Sequence, residues 1–266
     1  MKKAIIPVTL GLALLATVVL PGCDEVNIGG SGDVITEKKD VTGFTSLDIG
    51  SAFDITVTRS ETYGVTISAD ESLFDYIEVT KTGTELKLYL SPRHIFTDFT
   101  LGKRVLKAEI TMPALIALEI SGASKGVVSG FSSTSDMDLV VSGATSLSLV
   151  SIGTGNFKGY ISGASKVSGN LTTSAMQVQV SGASSLELAG SGTSVTIEVS
   201  GASRADLEQF QVTDVDATIS GASEATAFVE QNLDVEVSGA SRFYFIGNPT
   251  LGRTDVSGAS TIKHKD

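Results

Sequence analysis

Ser200-Gly201-Ala202-Ser203 is one of eight copies of the same tetrapeptide in the second half of the chain, whose first serines are Ser121, Ser142, Ser162, Ser181, Ser200, Ser220, Ser238 and Ser257. The steps between them are 21, 20, 19, 19, 20, 18 and 19 residues, and one copy departs from the pattern by ending on Thr145. A near-constant period of this length with no helical pattern inside it marks a repeat architecture.

Reading outward from the tetrapeptide shows what each repeat contains. Immediately before it stand Ile120, Val141, Ile161, Val180, Val199, Ile219, Val237 and Val256, all β-branched. Two residues earlier lie Leu118, Leu139, Gly159, Val178, Ile197, Ala217, Val235 and Thr254, mostly apolar, and the residues between the two columns, such as Glu119, Gln179, Glu198 and Glu236, are mostly polar. A period of two with one apolar face is a half-buried strand. The alternation resumes after the tetrapeptide, as in Ser185-Leu186-Glu187-Leu188, and stretches such as Gly247-Asn248-Pro249-Thr250 supply turns. Each repeat therefore reads as strand, small-residue corner, strand, turn.

One such coil cannot stand alone. Ordering its residues costs roughly 1 to 2 kcal/mol each, against roughly 1.5 to 3 kcal/mol from each of a few aliphatic side chains. Stacked coils share a core and a backbone ladder, so the expected fold is all-β: a parallel β-helix (solenoid) with about 19-20 residues per coil and the Ser-Gly-Ala-Ser tetrapeptides as corners. The corner glycine is expected at positive φ, the alanine in a tight inward site, and the serines hydrogen-bonded along the stack. Eight equivalent serines are structural, because a nucleophile requires one activated copy beside a base.

The chain begins Met1-Lys2-Lys3, followed by an apolar run from Ala4 to Leu20 and then Pro21-Gly22-Cys23. A basic start, a short apolar stretch and a small residue before the cut make an export signal over 1–22. Cys23, the sole cysteine, stands at the cleavage point, as in the lipobox of bacterial lipoproteins, so it is the expected lipidation site, and this covalent lipid is the only attached group expected. No cofactor is expected. Residues 23–33 form a short polar tether, and 34–266 a single β-helix domain with irregular coils over 34–117 and repeat coils over 118–266. The chain carries a net charge of −11, which excludes a basic nucleic-acid patch.

The irregular coils contain runs that read as strands: 44–49, 53–59, 64–69, 77–81, 86–90 and 105–112, with Ile49-Gly50-Ser51-Ala52 a degenerate corner. They are expected to close one end of the column, and the charged Lys263-His264-Lys265-Asp266 to protect the other. Between Leu90 and Val105 the rhythm breaks, and Arg93, His94, Phe96, Phe99 and Arg104 gather basic and aromatic character on an acidic chain. That segment is either a cap over the column or a contact site for a partner or a second copy.

Val41-Thr42-Gly43-Phe44, Phe53-Asp54-Ile55-Thr56-Val57, Ile110-Thr111-Met112-Pro113-Ala114-Leu115 and the tetrapeptide series together resemble the putative auto-transporter adhesin head GIN domain family over about residues 40 to 262. The resemblance implies a right-handed parallel β-helix in exported or envelope proteins of bacteria, often lipoproteins. It carries no catalytic or ligand residues onto this sequence.

An enzyme reading would need clustered carboxylates on one outward face, as in polysaccharide-cleaving β-helices. Asp216, Asp234, Glu236 and Asp255, with Glu198, form the best such set and could hold a divalent cation, although Arg253 falls beside Asp234. The two histidines, His94 and His264, are far apart, and the chain has no tryptophan. The expected function is a non-catalytic, membrane-anchored envelope module of adhesin-like or structural kind on the extracytoplasmic side of a bacterial cell. A surface or matrix polymer, or self-association, would supply its contacts. The alternative is a carbohydrate-active or divalent-cation-binding protein using the acidic face.

Overall fold

The structure is a computed structural model that describes residues 33–91 and 105–265. Strand accounts for 66% of it and helix for 2%, wound into a β-solenoid of about 7 turns. The leader, Cys23, almost all of the tether and residues 92–104 lie outside the described residues, and with them Arg93, His94, Phe96, Phe99 and Arg104.

In chain order the first half contains β1 (Val34–Lys39), β2 (Ser46–Ile49), β3 (Asp54–Arg59), β4 (Gly64–Asp70), the one-turn helix α1 (Glu71–Phe74), β5 (Ile77–Thr82), β6 (Glu85–Leu90) and β7 (Leu106–Met112). The repeats follow as β8 (Ala117–Ile120), β9 (Lys125–Ser129), β10 (Met137–Val141), β11 (Ser146–Gly153), β12 (Asn156–Ile161), β13 (Lys166–Thr172) and β14 (Ala175–Val180). From there β15 (Ser185–Val199), β16 (Arg204–Ile219) and β17 (Glu224–Val237) each run through the second bend of a coil, and β18 (Arg242–Ile246), β19 (Thr250–Val256) and β20 (Thr261–His264) end the column.

Two stacks of parallel strands result, one before the corner and one after it. The pre-corner stack runs β2, β8, β10, β12, β14 and then the second halves of β15, β16 and β17 to β19. The post-corner stack runs β3, β9, β11, β13, the first halves of β15, β16 and β17, then β18 and β20. Inward positions form the core: Ile120, Val141, Val199, Ile219 and Val237 are each fully buried. At Gly159 the column lacks a side chain, and the ring of Phe157 occupies that space, 3.1 Å from where a β-carbon would stand.

The corners differ from expectation in one respect. Every corner alanine, Ala123 through Ala259, is exposed, and the fourth residue points inward instead. Ser124, Thr145, Ser165, Ser184, Ser203, Ser223 and Ser241 are all buried. The glycine causes this: Gly182 has φ 78°, and such a left-handed step turns the next side chain outward and the one after it inward. A β-carbon on Gly182 would also lie 2.4 Å from the Gly163 carbonyl oxygen of the preceding coil, so the stacking distance itself demands glycine.

The backbone explains the buried serines. The first corner residue, the alanine and the residue after the corner donate to carbonyls of the previous coil, as Ser181 does to Ile161, Ala183 to Gly163 and Ser185 to Ser165. The N–H of the fourth residue points the other way and meets a hydroxyl: Ser165 N donates to Ser184 Oγ, Ser184 N to Ser203 Oγ and Ser223 N to Ser241 Oγ, each at 3.3 Å. The buried hydroxyl is satisfied in turn, since Ser241 Oγ donates to the Gly221 carbonyl at 3.2 Å.

The irregular coils do close one end, in an order that the chain does not follow. Strands β2 and β3 lie inside the column, with β6 and β7 on one side and β8 and β9 on the other. The Lys87 ammonium on β6 donates to Asp48 on β2 at 2.7 Å, and that hydrogen bond holds its pKa above the usual lysine value. Beyond β6 and β7 the pairing turns antiparallel: β5 on β6, β4 on β7, and β1 on β4. Leu73 of α1 is buried at this end, with Phe74 and Tyr76 packed against the core.

Candidate functional site

Because each strand pairs in register with its neighbour one coil away, outward side chains stand in rows along the axis. In the pre-corner sheet one row reads Asp138, Lys158, Gln177, Thr196, Asp216 and Asp234, each opposite the next. The parallel row reads Val140, Tyr160, Gln179, Glu198, Thr218, Glu236 and Asp255.

The acidic set read from the sequence falls at the far end of these rows. Asp216 lies beside Asp234, and Glu236 beside Asp255. Arg253 is tied to the first pair: its backbone N–H donates to Asp234 Oδ1 at 2.5 Å, and its guanidinium reaches Asp216 Oδ1 at 3.3 Å across two coils. Among the described residues, no group of three or more His, Cys, Asp or Glu side chains is arranged to hold a metal ion. His264 packs its ring on Phe245 with centroids 5.1 Å apart, and its Nε2 lies 2.9 Å from the Gly247 carbonyl.

A shallow cleft of about 460 Å³ opens on the middle of the same sheet, with Asp136, Asp138, Asn156, Lys158, Gln177 and Thr196 among its lining residues. Asp136 is fixed there by two donors of Asn156, the backbone N–H at 2.8 Å and the side-chain amide at 2.9 Å. The Lys158 ammonium stands over the Tyr160 ring, 5.3 Å from its centroid, and Tyr160 is 37% exposed. Tyr160, by hydrogen bonding and charge, and Asp138, by charge, hold the Lys158 pKa above its usual value. A part-exposed aromatic ring beside amides, hydroxyls, a carboxylate and a cation can stack on and hydrogen-bond a hydroxyl-rich ligand through the ring face that Lys158 does not cover. These residues were not singled out from the sequence. Their signal was the pair of outward columns, which only the pairing register turns into one patch.

The post-corner sheet presents a row of Lys125, Ser146, Lys166, Ser185, Arg204, Glu224 and Arg242. Cations alternate with hydroxyls or with Glu224, which pairs with Arg204 at 2.7 Å, so no like charges are adjacent. A second cleft of about 300 Å³ on this side is lined in part by Glu187, Asp206 and Glu208. Two of these carboxylates are already engaged, Asp206 by Arg204 at 3.3 Å and Glu208 by Lys265.

The fold and its outward rows define a parallel β-solenoid that presents side chains from successive coils on open, flat faces. Residues 43–249 match the family described as "Putative auto-transporter adhesin, head GIN domain", and the chain belongs to that family. Solved structures of the same fold include a putative adhesin from Parabacteroides merdae ATCC 43184, with TM-score 0.80 and 16% identity over 89% of this chain and 98% of that one. A putative adhesin from Parabacteroides distasonis ATCC 8503 gives TM-score 0.81 and 14% identity, with the same coverage of 89% and 98%. A protein from that organism described as a putative lipid binding protein gives 0.74 and 16%, again covering 89% and 98%. At these identities the likeness speaks to the fold alone. No match to the chain was found among curated proteins. Among the described residues, no helix is long and apolar enough to cross a membrane.

Proposed function

We propose that this protein is a non-catalytic, adhesin-like binding module on the extracytoplasmic surface of a bacterial cell, anchored through lipid on Cys23, and that it holds an extended hydroxyl-rich polymer against the pre-corner sheet around Tyr160. The observation that carries the reading is the register of the cleft: Asp138, Lys158, Gln177 and Thr196 come from four consecutive coils. A polymer lying along the axis would meet one polar side chain about every 4.8 Å, with the Tyr160 ring as a stacking platform. Family membership and the adhesin descriptions of similar structures support the same reading. For the anchor, the support is the leader ahead of Cys23.

The test is incubation of the purified protein with a panel of glycans, with and without calcium. Saturable binding without cleavage products is expected. Reducing ends or unsaturated products would favour the carbohydrate-active alternative. Binding that requires calcium and is lost in Asp216→Asn would favour a cation site on Asp216, Asp234, Glu236 and Asp255.

A further inference from the structure

Charge is spread unevenly along the column. From Ser121 to Leu186 the chain holds three cations, Lys125, Lys158 and Lys166, against two anions, Asp136 and Asp138, a balance of +1, so with −11 overall the remaining residues carry −12. Both of these aspartates line the pre-corner cleft. The post-corner strands of the same coils, β9, β11 and β13, contain no Asp or Glu at all. They are interior members of their stack, each paired on both sides.

Register joins the three strands into one panel. Lys125 lies opposite Ser146, and Ser146 opposite Lys166, so the two lysines stand two rungs of the ladder apart, about 9.6 Å. The next outward row is Val127, Ser148 and Ser168. Val127 is 41% exposed, and so, at 42%, is Val150 further along β11. Neither lysine has an ion pair among the described residues. Arg204, the next cation two rungs on, differs: Glu224 and Asp206 already hold its guanidinium, so the panel ends before it. On the other side Asp54 separates Lys125 from Lys107, which also lacks an ion pair among the described residues. Unpaired cations therefore recur on alternate rungs, at β7, β9 and β13.

We infer that this panel is a docking surface for a linear acidic polysaccharide that carries one carboxylate or sulfate on every second sugar. An extended β-linked chain advances by about one rung, 4.8 Å, per sugar, so acids on alternate sugars fall on alternate rungs. The neutral sugar between them meets Ser146, and the hydroxyls of Ser148 and Ser168 are placed to bond its own. Val127 and Val150 offer apolar surface to the C–H faces of the rings. A compact anion would reach one lysine only. The acidic remainder of the column does not prevent docking, because charges further off than a Debye length of about 8 Å are largely screened at physiological ionic strength. The inference does not rest on the reading of the Tyr160 ring and its neighbouring cleft, which belong to the pre-corner sheet.

The test titrates the full chain, in detergent, with hyaluronan, whose disaccharide repeat carries one carboxylate, and with the same polymer after its carboxylates are reduced to alcohols. Saturable binding of the first and not of the second is expected, weakening as salt rises. Lys125→Gln and Lys166→Gln should each raise the dissociation constant about threefold. Lys263→Gln, at an exposed lysine of β20 on the same sheet, should leave it unchanged, and all three variants should melt as the wild type does. A hyaluronan fragment with two carboxylates should bind more tightly than one with a single carboxylate to the wild type, and lose that advantage on Lys166→Gln. Phosphatidylglycerol added to the micelles at equal anion concentration should not displace the polymer. No saturable binding of hyaluronan, binding that survives carboxyl reduction, equal affinity of the wild type and both panel variants, or an equal loss in Lys263→Gln would overturn the proposal. Displacement by phosphatidylglycerol would also overturn it, in favour of an anionic membrane surface.

Discussion

The backbone N–H of Ser165 donates to the hydroxyl of Ser184, one coil further along, at 3.3 Å. This bond gives the fourth corner position its need for a hydroxyl: its amide is buried and the carbonyl ladder does not take it. Ser184→Ala leaves Ser165 N–H buried without a partner, so stability should fall by about 1 to 3 kcal/mol in chemical denaturation. Ser184→Thr should be close to neutral, as Thr145 shows the same position holding a threonine whose Oγ1 donates to the Ser142 carbonyl at 2.8 Å.

Ala183, immediately before Ser184, gives the opposite expectation. Its side chain is exposed, so Ala183→Phe should shift stability by no more than about 0.5 kcal/mol. A large drop in melting temperature would place the alanine inside the column.

Two glycines separate backbone strain from close approach. Gly182 has φ 78° and the Gly163 carbonyl oxygen 2.4 Å from its would-be β-carbon, whereas Gly83, at φ 60° in the β5–β6 turn, has nothing within 4 Å. Gly83→Ala should therefore cost only the left-handed penalty, about 1 to 2 kcal/mol. Gly182→Ala should cost distinctly more, because the coils must also move apart. Equal melting temperatures for the two variants would show that the corner glycines serve conformation alone.

If the proposed lipid anchor on Cys23 holds, Cys23→Ser should move the protein from the membrane fraction to the soluble fraction, or block its maturation. Detergent-dependent membrane association of a mature-length Cys23→Ser variant would contradict the lipid anchor.

Most of the column was legible in the sequence, since the tetrapeptide fixes the period and the alternation around it fixes the strands. The orientation within the corner was not: small size suggested an inward alanine, but the left-handed glycine step sends Ala183 out and Ser184 in. Nor could alternation show that β2 and β3 sit between β6–β7 and β8–β9, because a strand's hydrophobic pattern does not record which neighbour its edges choose. The sequence did place Arg253 beside Asp234, and the structure adds its reach to Asp216. The cleft and the Tyr160 ring beside it went unread because Asp138, Lys158, Tyr160 and Gln177 are scattered among polar positions that look alike until register aligns them.

The most direct measurement of the binding account is the affinity of the wild-type protein and of Tyr160→Ala for the glycan that binds best in the panel, with product analysis of the same mixtures. Loss of the stacking ring should weaken binding by about 1 kcal/mol, roughly fivefold, with the melting temperature unchanged and no product formed. Equal affinity of the two proteins, or release of cleaved glycan, would contradict it.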